Sequence, residues 1–523
     1  MRAETTLTIL GAACAVVLGG GAIGCGGGGG GGGGHDKGDG GMAPLWLGVI
    51  GTGQSLSVGA ASNGLVFTSP AASNLKLSLG ARGTSWPIDA NDPELSLAPL
   101  AEPIRPIDTG SSNPYPNNIY GETFHTAMAT ELGALHQAAA GQDLVTVHSV
   151  VGQGAASITI IGKGGTGNAY AASLFEATAL ARLAAAAGAR YEVGAIMLTH
   201  GEADAERPSY EDDIAALAAA YQQDLPPITG QTRAVPLILS QQHADPVTGR
   251  STSTVAAWKL GVDYPGKIYC AGPKYQYAYA SDHIHLLAGQ YDRLGIKYAE
   301  VYDQVVVQGN DWQPLQPVDV SRDGMTIDIR FHVPFPPLAW DETFGAPHHF
   351  VHSAWMDGRG FEVEDSTGEM TIASVAIDGD TIHLGLAAAP VTTATAPLVV
   401  RYAMTQDATV LAGGLVSGRF GQLHDADPLV GVDAGEIDCN VTNGSTMVTA
   451  VTAGAFLGRS AHDMVEDVAG VGLAANTAVT LAAASTVTLS QPWTGATGPA
   501  RLRFRSNQWN YAVAFELTVP DAP

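Results

Sequence analysis

Two hydrophobic rhythms divide the chain. Between about residues 45 and 307, short unbroken apolar runs alternate with longer alanine-rich stretches. The runs "LWLGVIG" (45–51), "DLVTVHSVVG" (143–152), "YEVGAIMLTHG" (191–201) and "AVPLILSQQ" (234–242) predict strands buried on both faces. The stretches 121–141, 173–189, 209–225 and 285–306 predict helices, with a short helix at 253–261 and a short strand at 266–272. At the third of these helices, Ser209 and Asp212 have the spacing of a cap and its third-position carboxylate. Strand-helix alternation predicts a parallel sheet covered on both faces, with ligands beyond the carboxyl ends of its strands. The segment 61–120, rich in Pro, Asn and Ser, breaks the rhythm and predicts a long loop region near the site.

After about Trp312 the period changes. "MTIDIRFHV" (325–333), "MTIASVAI" (370–377), "TIHLGLA" (381–387) and "PLVVRYAM" (397–404) are separated by Gly/Asp turns, which predicts an all-β, sandwich-like domain over 311–435. A Thr/Val/Ala/Gly-rich stretch over 436–505 predicts a small β-rich insertion or module, and 506–523 a terminal strand returning to the β domain. One β domain with an insertion and two separate β domains are both compatible with this pattern.

Composition adds three restrictions. The chain is 46% hydrophobic and 14% charged, and its formal net charge of −25 repels phosphate backbones, which excludes nucleic acid as the expected partner. Residues 1–24 carry Arg2, an apolar stretch and then small residues, the pattern of an export signal. "AIGC" resembles a bacterial lipoprotein box, which implies a lipidated Cys25; cleavage as an ordinary signal peptide is the alternative. The nine glycines after Cys25 and the following "HDKGDGG" suit a flexible leash over 25–44. The expected location is the bacterial envelope through that anchor, or otherwise the periplasm or exterior, with no membrane contact except at Cys25. Of the four cysteines, Cys270 and Cys439 remain, either paired or as two buried thiols; no metal-type spacing occurs.

Four stretches bear chemistry. "GTGQS" follows the first strand; it fails the dinucleotide fingerprint because Leu56 stands where the third glycine is needed. No phosphate-binding GKS or GKT occurs either, so no cofactor is expected. A glycine turn there would lift Ser55 to the sheet edge and free its backbone N–H for an oxyanion. "VVGQGAASI" (150–158) brings Gly152 and Gly154 to the end of the next strand. "MLTHGEADA" (197–205) offers His200 as a donor to developing negative charge, with Glu202 and Asp204 to orient neighbours or shape the loop. "SDHIHLLAGQYDRLG" (281–295) spaces Asp282 and His285 three apart, so that the carboxylate can reach Nδ1 and leave Nε2 for a hydroxyl. His283, adjacent to Asp282, is the poorer base. Each stretch alone equally describes a turn or a polar helix end.

Taken in order, these stretches resemble the SGNH (GDSL-like) hydrolase superfamily, in particular its sialate O-acetylesterase and acetylxylan esterase branch. Gly53-Gln54-Ser55 is similar to that branch's nucleophile block, "GQGAASI" to its second block, "HGEAD" to its QGE(S/A)D block, and "DHIHLLAGQYDRLG" to its closing D-x-x-H-L block. The resemblance covers about 45–310 and implies a three-layer α/β/α, flavodoxin-like domain. It implies Ser55 as nucleophile, His285 as base and Asp282 as its orienter. It also implies an oxyanion hole from the Ser55 amide and the Gly154 amide, with Gly152 as the alternative, and with Gln54, Glu202 and Asp204 in support. His200 stands where that branch has Gln, so its imidazole is expected to complete the hole.

The expected function is hydrolysis of O-acyl, above all O-acetyl, esters of carbohydrates. The nearer alternative is a general lipid or aryl esterase; one from a different class is a surface carbohydrate-binding or adhesive protein with weakened catalysis. A third reading is a metal site at "HHFVH", where strand alternation would put His348 and His352 on one face beside His349.

Overall fold

In each central strand, successive residues belong to different cores. Val49 faces one and Ile50 the other; Met197 and Leu198, and Ile238 and Leu239, divide the same way. Period-two alternation with both faces apolar is what burial between two helical layers requires. A computed structural model describes residues 43–520 apart from 63, 72, 81–84, 109, 111, 245–249, 349–350, 407–412, 432–435, 457–458, 460–462 and 476. The export signal, Cys25 and nearly all of the glycine leash lie outside the described residues.

The central sheet comprises β1 (Leu45–Gly53), β2 (Leu75–Ser78), β3 (Ser96–Pro99), β4 (Thr146–Val150), β5 (Arg190–Thr199), β6 (Leu237–Leu239) and β7 (Ile268–Cys270), in the spatial order β3-β2-β4-β1-β5-β6-β7. All pairings are parallel except β2 with β3. The helices are α1 (His125–Ala140), α2 (Ile158–Ile161), α3 (Ala169–Ala186), α4 (Tyr210–Thr229), α5 (Thr252–Asp263) and α6 (Ala288–Tyr302). Leu180, Leu217 and Leu260 of α3, α4 and α5 cover one face of the sheet; Met128, Leu132 and Tyr298 of α1 and α6 cover the other.

Several expectations shift. The segment 61–120 is not all loop: β2 and β3 pair antiparallel at the sheet edge, Leu75 opposite Pro99 and Ser78 opposite Ser96. Helix α1 starts four residues late because Glu122 and Thr123 are engaged elsewhere. The Glu122 carboxylate accepts from Val66 N at 2.6 Å and Phe67 N at 3.2 Å, and the Thr123 hydroxyl donates to Glu102 at 2.5 Å. The predicted cap of α4 does not form. Ser209 Oγ donates to Asp213 at 2.9 Å, and Arg207 Nε reaches the same carboxylate oxygen at 2.6 Å. Helix α6 starts at Ala288, which leaves Asp282 to His285 in a turn.

Beyond β7 the chain builds antiparallel sheets. A four-stranded sheet holds Gln316–Asp323, Thr326–His332, Ile372–Asp378 and Thr381–Leu386. A second holds Phe361–Asp365, Gly368–Glu369, Val399–Tyr402 and Phe515–Thr518. Ile329 and Leu384 of the first share a core with Phe361, Val400 and Phe515 of the second. The last strand pairs Phe515 with Tyr402 and Thr518 with Val399. A six-stranded sheet between Glu436 and Arg505 has a core of its own around Trp493, Leu502 and Phe504. Cys270 and Cys439 are buried, unpaired thiols. Among the described residues no helix is long and apolar enough to cross a membrane.

Candidate active site

At the end of β1 the chain turns sharply. Gly53 has φ 136°, and a Cβ there would overlap the Thr199 carbonyl of β5. Glycine thus lets two parallel strands close on each other and release the chain at Gln54. Gln54 N donates to Thr199 O at 3.1 Å, and a single tight turn over Ser55–Ser57 follows. Ser57 pins that turn through its backbone N–H (2.9 Å) and hydroxyl (2.6 Å), both on Gln54 O. Ser55 is left half-buried at the carboxyl edge of the sheet.

The turn before α6 meets it there. Asp282 Oδ1 accepts from the backbone N–H groups of Ile284 and His285, each at 3.0 Å. Its Oδ2 lies 2.7 Å from His285 Nδ1, and His285 Nε2 lies 2.8 Å from Ser55 Oγ. A carboxylate only accepts, so Nδ1 carries the proton and Nε2 offers its lone pair to the serine hydroxyl. Partial burial pushes the Asp282 carboxyl up, but the hydrogen bonds from the His285 ring and the two amides hold it below the ordinary carboxylate range. His283 holds left-handed backbone at φ 59°, and His285 is the histidine bonded to Ser55.

A cavity of about 580 Å³ opens over these groups. Its walls are mostly small: Ala60, Ala61, Ala155 and Ala203, with Tyr120 and Ile284. Three residues lining it, Ala61, Ser112 and Ala155, hold left-handed backbone at φ 52°, 66° and 54°. Strained backbone of this kind persists only where surrounding structure imposes it, and it gathers at ligand sites. The long segment 61–120 therefore does reach the site, through Ala61, Gly110, Ser112 and Tyr120.

Gly154 lines the same cavity. A Cβ on it would stand 3.3 Å from Ser112 Cα and 3.4 Å from Tyr120 Cε2. No acceptor among the described residues engages the backbone N–H of Ser55 or of Gly154. Gly152 faces inward instead, where a Cβ would overlap the Ser57 hydroxyl.

His200 departs from its expected place. The ring is fully buried and does not line the cavity. Its Nε2 donates to Ala156 O at 3.0 Å, and its Nδ1 accepts from the Tyr210 hydroxyl at 2.9 Å, with the two rings stacked. Both nitrogens are spent, so the imidazole has no donor left for an oxyanion. Burial drives its pKa down, against the opposing pull of Asp204 3.7 Å away, so it is neutral. What His200 does is hold the 153–158 loop from behind. Asp204 does the same by accepting from Ile158 N at 2.6 Å.

Gln54 and Glu202 complete the floor. Gln54 Oε1 accepts from Ala203 N at 2.9 Å, tying the serine turn to the 200–204 loop. Glu202 Oε1 pairs with Lys274 Nζ at 2.8 Å, with both side chains buried. Lys274 is the site residue that sequence reasoning missed. A lone lysine in "CAGPKYQYAY", an apolar and aromatic setting of a chain with few charges, was the signal available. The buried unpaired alternative would be costly, so the two charges fix one another's position.

At "HHFVH" the described residues His348, Val351 and His352 lie outside any strand, so alternation does not apply to them. His348 Nε2 is 3.3 Å from Glu362 and His352 Nδ1 2.6 Å from Glu369, each imidazole with its own carboxylate. His349 lies outside the described residues. Among the described residues no group of three or more His, Cys, Asp or Glu side chains is placed to hold a metal ion.

No family model matches the chain, and no curated protein does. Among solved structures, it is similar to a carbohydrate acetylesterase from Xanthomonas citri at 15% identity and a TM-score of 0.39, over 73% of this chain and 77% of that one. It is similar to an Arabidopsis thaliana protein at 18% identity and a TM-score of 0.35, over 50% of this chain and 98% of that one. A third such structure is NanS, at 11% identity and a TM-score of 0.31, over 51% of this chain and 99% of that one.

Proposed function

We propose that the chain is a serine esterase that hydrolyses O-acyl, above all O-acetyl, esters of carbohydrates, and that it is an SGNH-type hydrolase. The observation that carries this reading is the unbroken hydrogen-bonded line from Asp282 through His285 to Ser55, opening onto a cavity with two unengaged amides. With β2 and β3 at one side set apart, the order of the other five strands, β4-β1-β5-β6-β7, supports it. In chain sequence this is second-first-third-fourth-fifth, a doubly wound order, and Ser55 leaves β1 at its switch point.

In this mechanism His285 Nε2 takes the Ser55 proton as Oγ attacks the acyl carbon. The carbonyl oxygen becomes an oxyanion, held by the N–H groups of Ser55 and Gly154. The tetrahedral intermediate collapses, the C–O bond to the sugar breaks, and His285 returns its proton to the leaving alkoxide. Water, deprotonated by the same imidazole, then attacks the acyl-serine and releases the acid and free Ser55. Asp282 keeps Nδ1 protonated and stabilises the imidazolium. The small alanine walls suit a short acyl group, and the remaining volume admits part of a sugar. Export, with lipid attached at Cys25, is part of the same proposal.

Acetate release from a panel of acetylated glycans, with Ser55→Ala beside the wild type, tests it. We expect the variant to lose activity by a factor on the order of 10⁶. Equal release by both proteins overturns the assignment. Failure of the wild type to take a fluorophosphonate label favours the adhesive alternative.

A further inference from the structure

The antiparallel region beyond β7 touches the acid-base turn through two glycines. Gly413 N–H donates to the His283 carbonyl at 2.7 Å. A Cβ on Gly413 would stand 2.7 Å from that oxygen, 2.7 Å from Tyr279 Cε1 and 2.9 Å from Ala244 Cβ. Gly414 has φ 66°, and a Cβ on it would stand 2.7 Å from Tyr279 Cδ2. Both positions are therefore too close to the α/β layer for any side chain. A single turn over Gly414–Val416 follows, closed onto Gly414 O by the Ser417 N–H at 3.1 Å and the Ser417 hydroxyl at 2.7 Å.

On the facing side, the turn from Ala280 to His285 is locally closed: Ala280 N donates to His285 O at 2.7 Å and His283 N to Ala280 O at 2.9 Å. These bonds leave the His283 carbonyl to Gly413. His283 itself stands at φ 59° without being glycine, a conformation a side chain disfavours, and the Gly413 N–H is a contact from outside the turn on its carbonyl. It lies directly between Asp282 and His285 in the chain, and any relaxation at its φ and ψ rotates one of them relative to the other.

We propose that Gly413 and Gly414 are positioning residues, which hold His283 in its left-handed conformation and so keep Asp282 and His285 in line with Ser55. The antiparallel region is then part of the hydrolytic unit, not an appendage to it. The catalytic consequence rests on the esterase reading; the geometric one does not.

The full-length chain serves for the test. Gly413→Ala is expected to lower kcat for p-nitrophenyl acetate by about 10- to 100-fold, with KM changed by less than about two-fold. The far-downfield proton resonance of His285 Nδ1, identified by its loss in Asp282→Asn, is expected to shift or vanish. Ser417→Ala adds no atoms and only loosens the brace; it is expected to lower kcat by about three- to ten-fold. It decides the matter if Gly413→Ala does not fold. Adding His283→Gly to Gly413→Ala, which frees that backbone, should restore part of the loss. Wild-type kcat together with a wild-type proton resonance in these variants overturns the brace. A Ser55→Ala protein as active as wild type instead overturns the esterase reading, while the proton resonance still decides on the brace.

Discussion

Ser55 leaves the end of β1, a strand flanked on both sides by parallel partners, whereas His285 sits in a turn that no strand of the central sheet holds. The first side chain is positioned by long ladders of backbone hydrogen bonds and by glycines where strands approach closely. The second depends on one carboxylate, one short-range closure and a brace from sequence far away. A nucleophile needs little beyond a fixed place at the sheet edge. A base must also keep one tautomer and one ring orientation, which local polar contacts set more directly than a sheet can.

The largest effect that can break this contrast is the removal of the Ser55 hydroxyl, described above. Next is Asp282→Asn. If the turn depends on that carboxylate as described, kcat should fall by about 10⁴ through the wrong tautomer, with the serine side undisturbed. A loss below ten-fold, measured on the same ester, removes Asp282 from the orienting role.

Lys274→Met attacks the floor shared by both sides. It leaves Glu202 buried and unpaired, so unfolding free energy from denaturant titration should drop by about 3–5 kcal/mol. A smaller drop in Lys274→Met paired with Glu202→Gln would show that the cost lies in the orphaned charge.

His200→Phe keeps the ring stacked on Tyr210 but deletes the bond to Ala156 O. Acting only through the 153–158 loop, it should cost about 10-fold in kcat, less than the roughly 10²–10³ lost with a direct oxyanion donor. A loss in the higher range would mean that the ring reaches the substrate after all.

The smallest expected effect concerns pH and the serine side. Burial pushes the carboxyls of Glu102 and Glu122 above the ordinary range, the nearby charge of Glu122 adding to the rise at Glu102, and Glu122 holds the loop beside Ala60 and Ala61. A raised folded-state pKa means that the folded chain binds more protons than the unfolded one between the two values. Stability therefore falls as pH rises from the unfolded value toward the raised one. In Glu102→Gln this slope should be shallower, as read from Tm across mildly acidic to mildly alkaline buffers; an unchanged slope would rule out Glu102 as its source.

The features legible in the sequence were local ones. Continuous apolar runs required strands covered on both faces, because only burial between two layers accepts them. The Asp282–His285 spacing of three allowed a carboxylate on Nδ1, since a single turn spans it, though alone it described a polar helix end equally well. The GQS stretch allowed a serine at the sheet edge, because a glycine turn directly after a buried strand lifts the next residues to that edge. Strand β2 and its edge neighbour β3 were hidden because four-residue strands carry too few apolar positions to stand out.

Other features depended on contacts that form only when distant segments meet. One choice was local and still hidden: the Ser209 hydroxyl goes to Asp213, four residues on and already paired with Arg207, rather than to a helix amide. His200 has the same neighbours in sequence whether it points at an oxyanion or at Ala156 O, 44 residues away. Lys274 and Glu202 meet across 72 residues, and Gly413 reaches His283 from the antiparallel region. Side-chain periodicity and short spacings are properties of a few consecutive residues, so the chain alone determines strands, helices and the reach of a turn. The partner of a buried polar group is settled by competition among all groups brought within hydrogen-bonding distance. That competition exists only in the folded molecule, where an unmet donor or acceptor has no water to turn to.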